Sequence, residues 1–275
     1  MIRDITLGQY YPTDSWVHKL DPRVKIIATL LFIVELFIVD NFIGFLVAAI
    51  LIGVIVGISH VPFGYITRGL KPILIILLFT FALNIFMVQG EVIWQWKFLH
   101  ITREGLYVAA FMGIRLILLI IGSSLLTLCT RPLSLTDGIE RLLSPFKKIG
   151  LPAHEIAMMM SIALRFIPIL MEETDKIIKA QTARGASFED KNMIKRVKSL
   201  VPVLVPLFVS AFRRASDLAM AMEARCYRGG DGRTKMKPLK YHRVDFVGYV
   251  VIIIYFACII FTGIYAHYLP FGEGL

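Results

Sequence analysis

Residues 170–185, LMEETDKIIKAQTARG, and residues 211–226, AFRRASDLAMAMEARC, decide how the chain is read. Each predicts an amphipathic helix whose last turn carries one arginine between small residues. In the first, Leu170, Met171, Thr174, Ile177, Ile178 and Gln181 share a face at 3/4 spacing, and Glu172–Lys176 and Asp175–Lys179 are i,i+4 pairs on another. Pro168 should kink that helix, and Gly185 should stop it directly after Arg184. In the second, Leu204, Leu207, Phe208, Ala211, Ala215, Leu218 and Met222 form the apolar stripe, Arg213–Asp217 is an i,i+4 pair, and Gly229-Gly230 is the expected stop. The two triplets are Ala183-Arg184-Gly185 and Ala224-Arg225-Cys226. A cation in a helix's last turn is favoured by the helix dipole alone, so one triplet says little. Two triplets 41 residues apart on matching helices point to two sockets on partner proteins. A guanidinium grips a carboxylate with two parallel hydrogen bonds, and small neighbours let the helix tip enter a narrow groove.

The rest of the chain is too apolar for a soluble domain. Its 275 residues are 57% hydrophobic with 19 Phe, and mean hydropathy is +0.71. Apolar segments at 24–39, 42–58, 72–88, 105–129 and 246–268 give five spans, the first two joined as a tight hairpin. The fold class is therefore an all-α polytopic membrane protein with about five transmembrane helices plus long cytoplasmic amphipathic helices. Three regions follow: 1–130 with four spans, 131–243 cytoplasmic, and 244–275 with the last span. Asp21 and Pro22 read as the start of the first span, Trp94 and Trp96 as interfacial anchors, and no cleavable signal peptide precedes them. Ala49, Gly53 and Gly57, four residues apart, form a small-residue face for close helix packing.

Charge sets the orientation. Net charge is +10, and 21 of the 30 Lys/Arg lie between Arg131 and Arg243. With the N-terminus cytoplasmic and the C-terminus outside, the outer loops hold only Lys97 and Arg103, as the positive-inside rule requires. Threading 153–171 and 201–221 through the bilayer would reverse that bias. It would also place Arg165, Arg213 and Arg214 in hydrocarbon at about 2.5–3.5 kcal/mol each. The basic excess is thus topological, and nucleic acid is not an expected partner.

Glu35 and Arg115 are charges inside spans, and the expectation is a mutual salt bridge fixing the bundle. Cys129, Cys226 and Cys258 are isolated, and the six His lack ligand spacing, so no metal is expected. The phosphate-binding pattern G-x-x-x-x-G-K-[ST] is absent, so no nucleotide hydrolysis is expected of this chain. The alternative is an integral membrane enzyme acting on lipid at the cytoplasmic interface. It would want paired carboxylates there, and the acidic group Glu172, Glu173 and Asp175 is accounted for by intrahelical pairs. A self-sufficient secondary transporter would show broken central helices or internal repeats, and neither is visible.

The paired triplets and the opening Tyr10-Tyr11-Pro12-x-Asp14-Ser15-x-x-His18-Lys19-Leu20-Asp21-Pro22-Arg23-x-Lys25 resemble the transmembrane (T) component of energy-coupling factor transporters, the ABC-type importers of vitamins and transition-metal ions. The resemblance covers nearly the whole chain. It implies a scaffold in the cell membrane with no catalytic residue, cofactor or metal of its own. Two ABC-type ATPase subunits would bind ATP and receive Arg184 and Arg225 at the ends of coupling helices, and a small membrane subunit would bind the substrate. Cys226 stands where the family usually has Gly, which puts the end of the second helix in question.

Overall fold

The computed structural model describes residues 10–266 apart from 40, 89, 97–98, 187, 189–192, 231–235 and 237, and side chains except those of 68, 71–72, 92–100, 191–197 and 264–266. The described chain forms two compact units, residues 10–139 with 239–266, and residues 140–238.

In the first unit four helices begin on a polar cap. Ser15 caps the short α1 (Trp16–Lys19), and Asp21 caps α2 (Pro22–Ile38), accepting from the Arg23 amide at 2.9 Å with Pro22 at the first helical position. Asn41 caps α3 (Phe42–Ser59), accepting from the Gly44 amide at 2.7 Å, and donates to the Thr262 carbonyl at 3.1 Å. After α4 (Phe63–Met87), the segment carrying Trp94 and Trp96 is an antiparallel hairpin, β1 (Val92–Trp96) with β2 (Leu99–Thr102), in which Trp94 pairs with Ile101 and Trp96 with Leu99. The side chains of Trp94 and Trp96, the proposed interfacial anchors, lie outside the described residues. Thr102 then caps α5 (Arg103–Cys129). Helix α6 (Pro132–Leu143) and a 3-10 turn (Ser144–Ile149) lead into α7 (Ala153–Ala183) and α8 (Met193–Ala224), and α9 (Arg243–Ala266) completes the first unit.

The core of that unit joins Phe32 and Leu36 of α2, Phe45, Ala48 and Ile52 of α3, Leu118, Leu125 and Leu128 of α5, and Tyr255 and Ile259 of α9. The Phe32 ring lies against the bare backbone of Gly122, where an added Cβ would meet it at 2.5 Å. That is where helices approach closely. The face proposed from Ala49, Gly53 and Gly57 is not used within the chain: all three are exposed, and no atom lies within 4 Å of a Cβ built on either glycine. Helix α3 instead packs through Phe45, Ala48 and Ile52, the face on which Phe45 and Ile52 bury more apolar area than glycine can.

Among the described residues, five helical segments are long and apolar enough to cross a membrane: Phe42–Ser59, Arg103–Cys129, Ala153–Ala183, Lys198–Ala224 and Arg243–Gly263. Three coincide with expected spans. Helix α2 has 17 residues and the apolar stretch Ile73–Met87 lies within the 25-residue α4, whereas α7 and α8 pass on length and apolarity alone. The chain is a multi-pass membrane protein.

Candidate functional site

Helices α7 and α8 form an antiparallel pair within the second unit. Gln181 of α7 donates to the Pro202 carbonyl of α8 at 3.4 Å, and Arg214 of α8 donates to Glu173 of α7 at 2.9 Å. Further along, Ile162, Phe166 and Leu170 face Ala211, Ala215, Leu218 and Met222 across a cleft of about 260 Å³. Rising numbers on α7 thus meet falling numbers on α8. The apolar stripes meet largely as their spacing predicts, except that Leu204 and Phe208 stay exposed. The predicted intrahelical pairs Glu172–Lys176, Asp175–Lys179 and Arg213–Asp217 are not formed among the described residues. The ion pair that does form is interhelical, Glu173 to Arg214. Spacing on one helix cannot reveal a partner on another, so this bridge was missed.

Both helices end on the same hydrogen-bond pattern. At α7, the Gly185 amide donates to the Thr182 carbonyl at 2.9 Å and the Ala186 amide to Gln181 at 3.0 Å, with Gly185 left-handed at φ 90°. At α8, the Cys226 amide donates to Glu223 at 2.8 Å and the Tyr227 amide to Met222 at 3.0 Å, with Cys226 left-handed at φ 54°. Each is a Schellman end, in which the left-handed residue turns the chain back so that the last free carbonyls are satisfied. The expected stop at Gly229-Gly230 is therefore corrected: α8 ends at Ala224, and Cys226 performs the turn that Gly185 performs on α7. A side chain at such an angle costs about 1–2 kcal/mol. In both ends Arg184 and Arg225 are the residues just before the turn. All six triplet residues are exposed, and neither guanidinium is held by the described residues.

The ends are also equidistant from the bridge. Arg184 lies 11 residues beyond Glu173, and Arg225 lies 11 beyond Arg214. At 1.5 Å per residue each arginine stands about 17 Å from the crossing, in opposite directions. The 41-residue offset between triplets is the same as that between the bridging residues. The pair thus has approximate two-fold symmetry about the Glu173–Arg214 bridge.

Glu35 and Arg115 are not joined, contrary to expectation. The Glu35 carboxyl is fully buried and accepts no hydrogen bond from the described residues. Arg115 donates instead to the Val39 carbonyl at 2.7 Å, with its guanidinium near the rings of Phe45 and Phe37. Val39 caps the C-terminal end of α2, where free carbonyls and the helix dipole attract a cation. A second polar centre was not read from sequence beyond the Asp21 cap. The Asp245 carboxylate, fully buried at the start of α9, accepts from the amides of Asp21 and His242, each at 2.6 Å. Arg23 then bonds Asp21 at 2.9 Å and lies 4.0 Å over the Tyr241 ring. This network ties the start of α2 to the start of α9. Its one sequence signal is an acid in the first turn of an otherwise apolar helix.

Residues 13–236 match the model of the cobalt transport protein family CbiQ. The chain is 61% identical over 249 residues to the energy-coupling factor transporter transmembrane protein EcfT of Clostridium kluyveri, covering 90% of this chain and 92% of that protein. It is 57% identical to EcfT of Thermosediminibacter oceani (90% and 94%) and 47% identical to EcfT of Bacillus subtilis (95% and 98%). The chain belongs to this family. It is a transmembrane component of an energy-coupling factor transporter and a non-catalytic subunit, and the lipid-enzyme alternative finds no support among these relatives.

Proposed function

We propose that Ala183-Arg184-Gly185 and Ala224-Arg225-Cys226 each seat in a socket on one of two ATPase subunits. The α7–α8 pair then passes the closing of those ATPases to a small membrane subunit that captures the substrate, a vitamin or a metal ion. ATP is bound and hydrolysed by the partners, and this chain supplies neither catalytic residue nor cofactor site. The observation that carries the reading is the identity of the two helix ends: the same turn, the same exposed arginine and the same distance from the bridge. Two equivalent plugs suit two equivalent sockets. Small residues beside each arginine leave room for a groove to close around it.

In this reading region 131–243 lies on the cytoplasmic side, with the N-terminus inside and the C-terminus outside. Length and apolarity admit α7 and α8 to the bilayer, but charge opposes it. Arg165, Arg213 and Arg214 would enter hydrocarbon, and the basic residues between the helices would be carried outside. The apolar faces of α7 and α8 serve contacts along the membrane surface and with partners instead. The test is ATP-driven uptake by the assembled transporter carrying Arg184→Ala with Arg225→Ala. Each truncation removes about 2–5 kcal/mol of binding if the arginine is seated on a buried carboxylate. Uptake should fall to background, and uptake at the wild-type rate would sink the proposal.

A further inference from the structure

A polar cavity of about 470 Å³ lies in the first unit where α2 begins and α5 ends. Its walls carry three cations. Lys25 is 7% exposed, and its ammonium donates to the carbonyls of His18 at 3.1 Å and Cys129 at 3.0 Å, which engages two of its three protons. Arg131 is exposed, and its guanidinium lies 5.5 Å from the Tyr10 ring and donates no hydrogen bond to the described residues. Lys19 is paired at 3.4 Å with Asp14, the one carboxylate among the described lining residues. Burial lowers the His18 pKa, so its ring stays neutral between Ser15 and the Tyr11 carbonyl. The decisive group is Thr130: it is 4% exposed, lines the cavity, and its hydroxyl has no partner among the described residues. A buried hydroxyl left unbonded is destabilising unless something binds it.

An apolar groove of about 500 Å³ shares Leu20, Lys25 and Cys129 with this cavity. It runs between α2, α3, α5 and α9 from Val24 to Glu35, which with Tyr255 lines its far end. Eleven residues of helix make it about 16 Å long, roughly half of a 30 Å hydrocarbon core, which is the depth of one leaflet. Trp16, 66% exposed, also lines it and suits a membrane interface.

We propose that the two cavities together hold one anionic phospholipid, its phosphate among Lys25, Arg131 and the Thr130 hydroxyl and one acyl chain along the groove. The cations supply charge complementarity, the free hydroxyl and the third ammonium proton supply hydrogen bonds, and the groove supplies a chain path of single-leaflet depth. The proposal is independent of the helix ends.

The test uses the full-length chain in mild detergent, exposed to dioleoylphosphatidylglycerol or dioleoylphosphatidylcholine and read by native mass spectrometry. One phosphatidylglycerol should be retained several-fold better than phosphatidylcholine. Arg131→Ala, at an exposed site with only a ring contact, should lower retention about five-fold with thermal unfolding unchanged. Thr130→Val should lower it at least as much, and Arg103→Ala, outside both cavities, should leave it unchanged. Equal retention of the two lipids, or an Arg131→Ala chain that binds like wild type, would overturn the proposal. So would displacement of the lipid by millimolar inorganic phosphate, which would mark a plain anion site.

Discussion

At the end of α7 the left-handed residue is Gly185, and at the end of α8 it is Cys226, yet the same two hydrogen bonds close both helices. Glycine adopts that angle freely and cysteine does not. A helix free to fray would avoid the strain by ending elsewhere, and Gly229 at φ 90° is available three residues on. The chain keeps the strained turn, and with it Arg225 stays as far from the Glu173–Arg214 bridge as Arg184 does. The difference teaches that the position of the arginine, rather than the ease of the turn, is what the α8 end preserves.

The comparison can be broken most severely with Cys226→Pro. It removes the amide that donates to Glu223 and forbids a positive φ, at about 3 kcal/mol or more. Hydrogen exchange in the full chain should show the amide of Tyr227 losing protection while that of Ala186 keeps its own. Exchanging the two residues sharpens the point. Cys226→Gly should stabilise the α8 end by about 1 kcal/mol and slow exchange at Tyr227, and Gly185→Cys should weaken the α7 end by a similar amount. Equal exchange in all variants would mean that the two ends are not set by these turns. The smallest effect belongs to the bridge, which is partly solvent-exposed. Glu173→Arg alone should lower transport a few-fold by loosening the crossing at a cost of up to about 1 kcal/mol, and adding Arg214→Glu should restore it. A double variant no better than the single one would remove the bridge from the account.

Much of the fold was legible because hydrophobic runs and caps are local. Asp21-Pro22 opens α2 as its chemistry requires, and the triplets fall at helix ends. What was not legible depends on which helix lies beside which. Glu35 and Arg115 both read as intramembrane charges, but only the packed structure shows that the Val39 carbonyl closing α2 takes Arg115. Gly53 and Gly57 have the spacing of a packing face, whereas Gly122, with no such repeat, is the one pressed against Phe32. The α8 stop was misplaced because residue preference favours Gly229-Gly230, and tertiary position overrides preference at Cys226. Asp245 shows the same limit, since its two amide donors come from residues 3 and 224 positions away.

The central claim is that two equivalent plugs engage two ATPases, and stoichiometry tests it most directly. The tagged chain, purified in mild detergent from membranes that contain its partners, should carry two ATPase subunits by native mass spectrometry. Arg184→Ala or Arg225→Ala alone should weaken one attachment and yield complexes with a single ATPase, and the double variant should carry none. Two ATPases retained by the double variant would contradict the account.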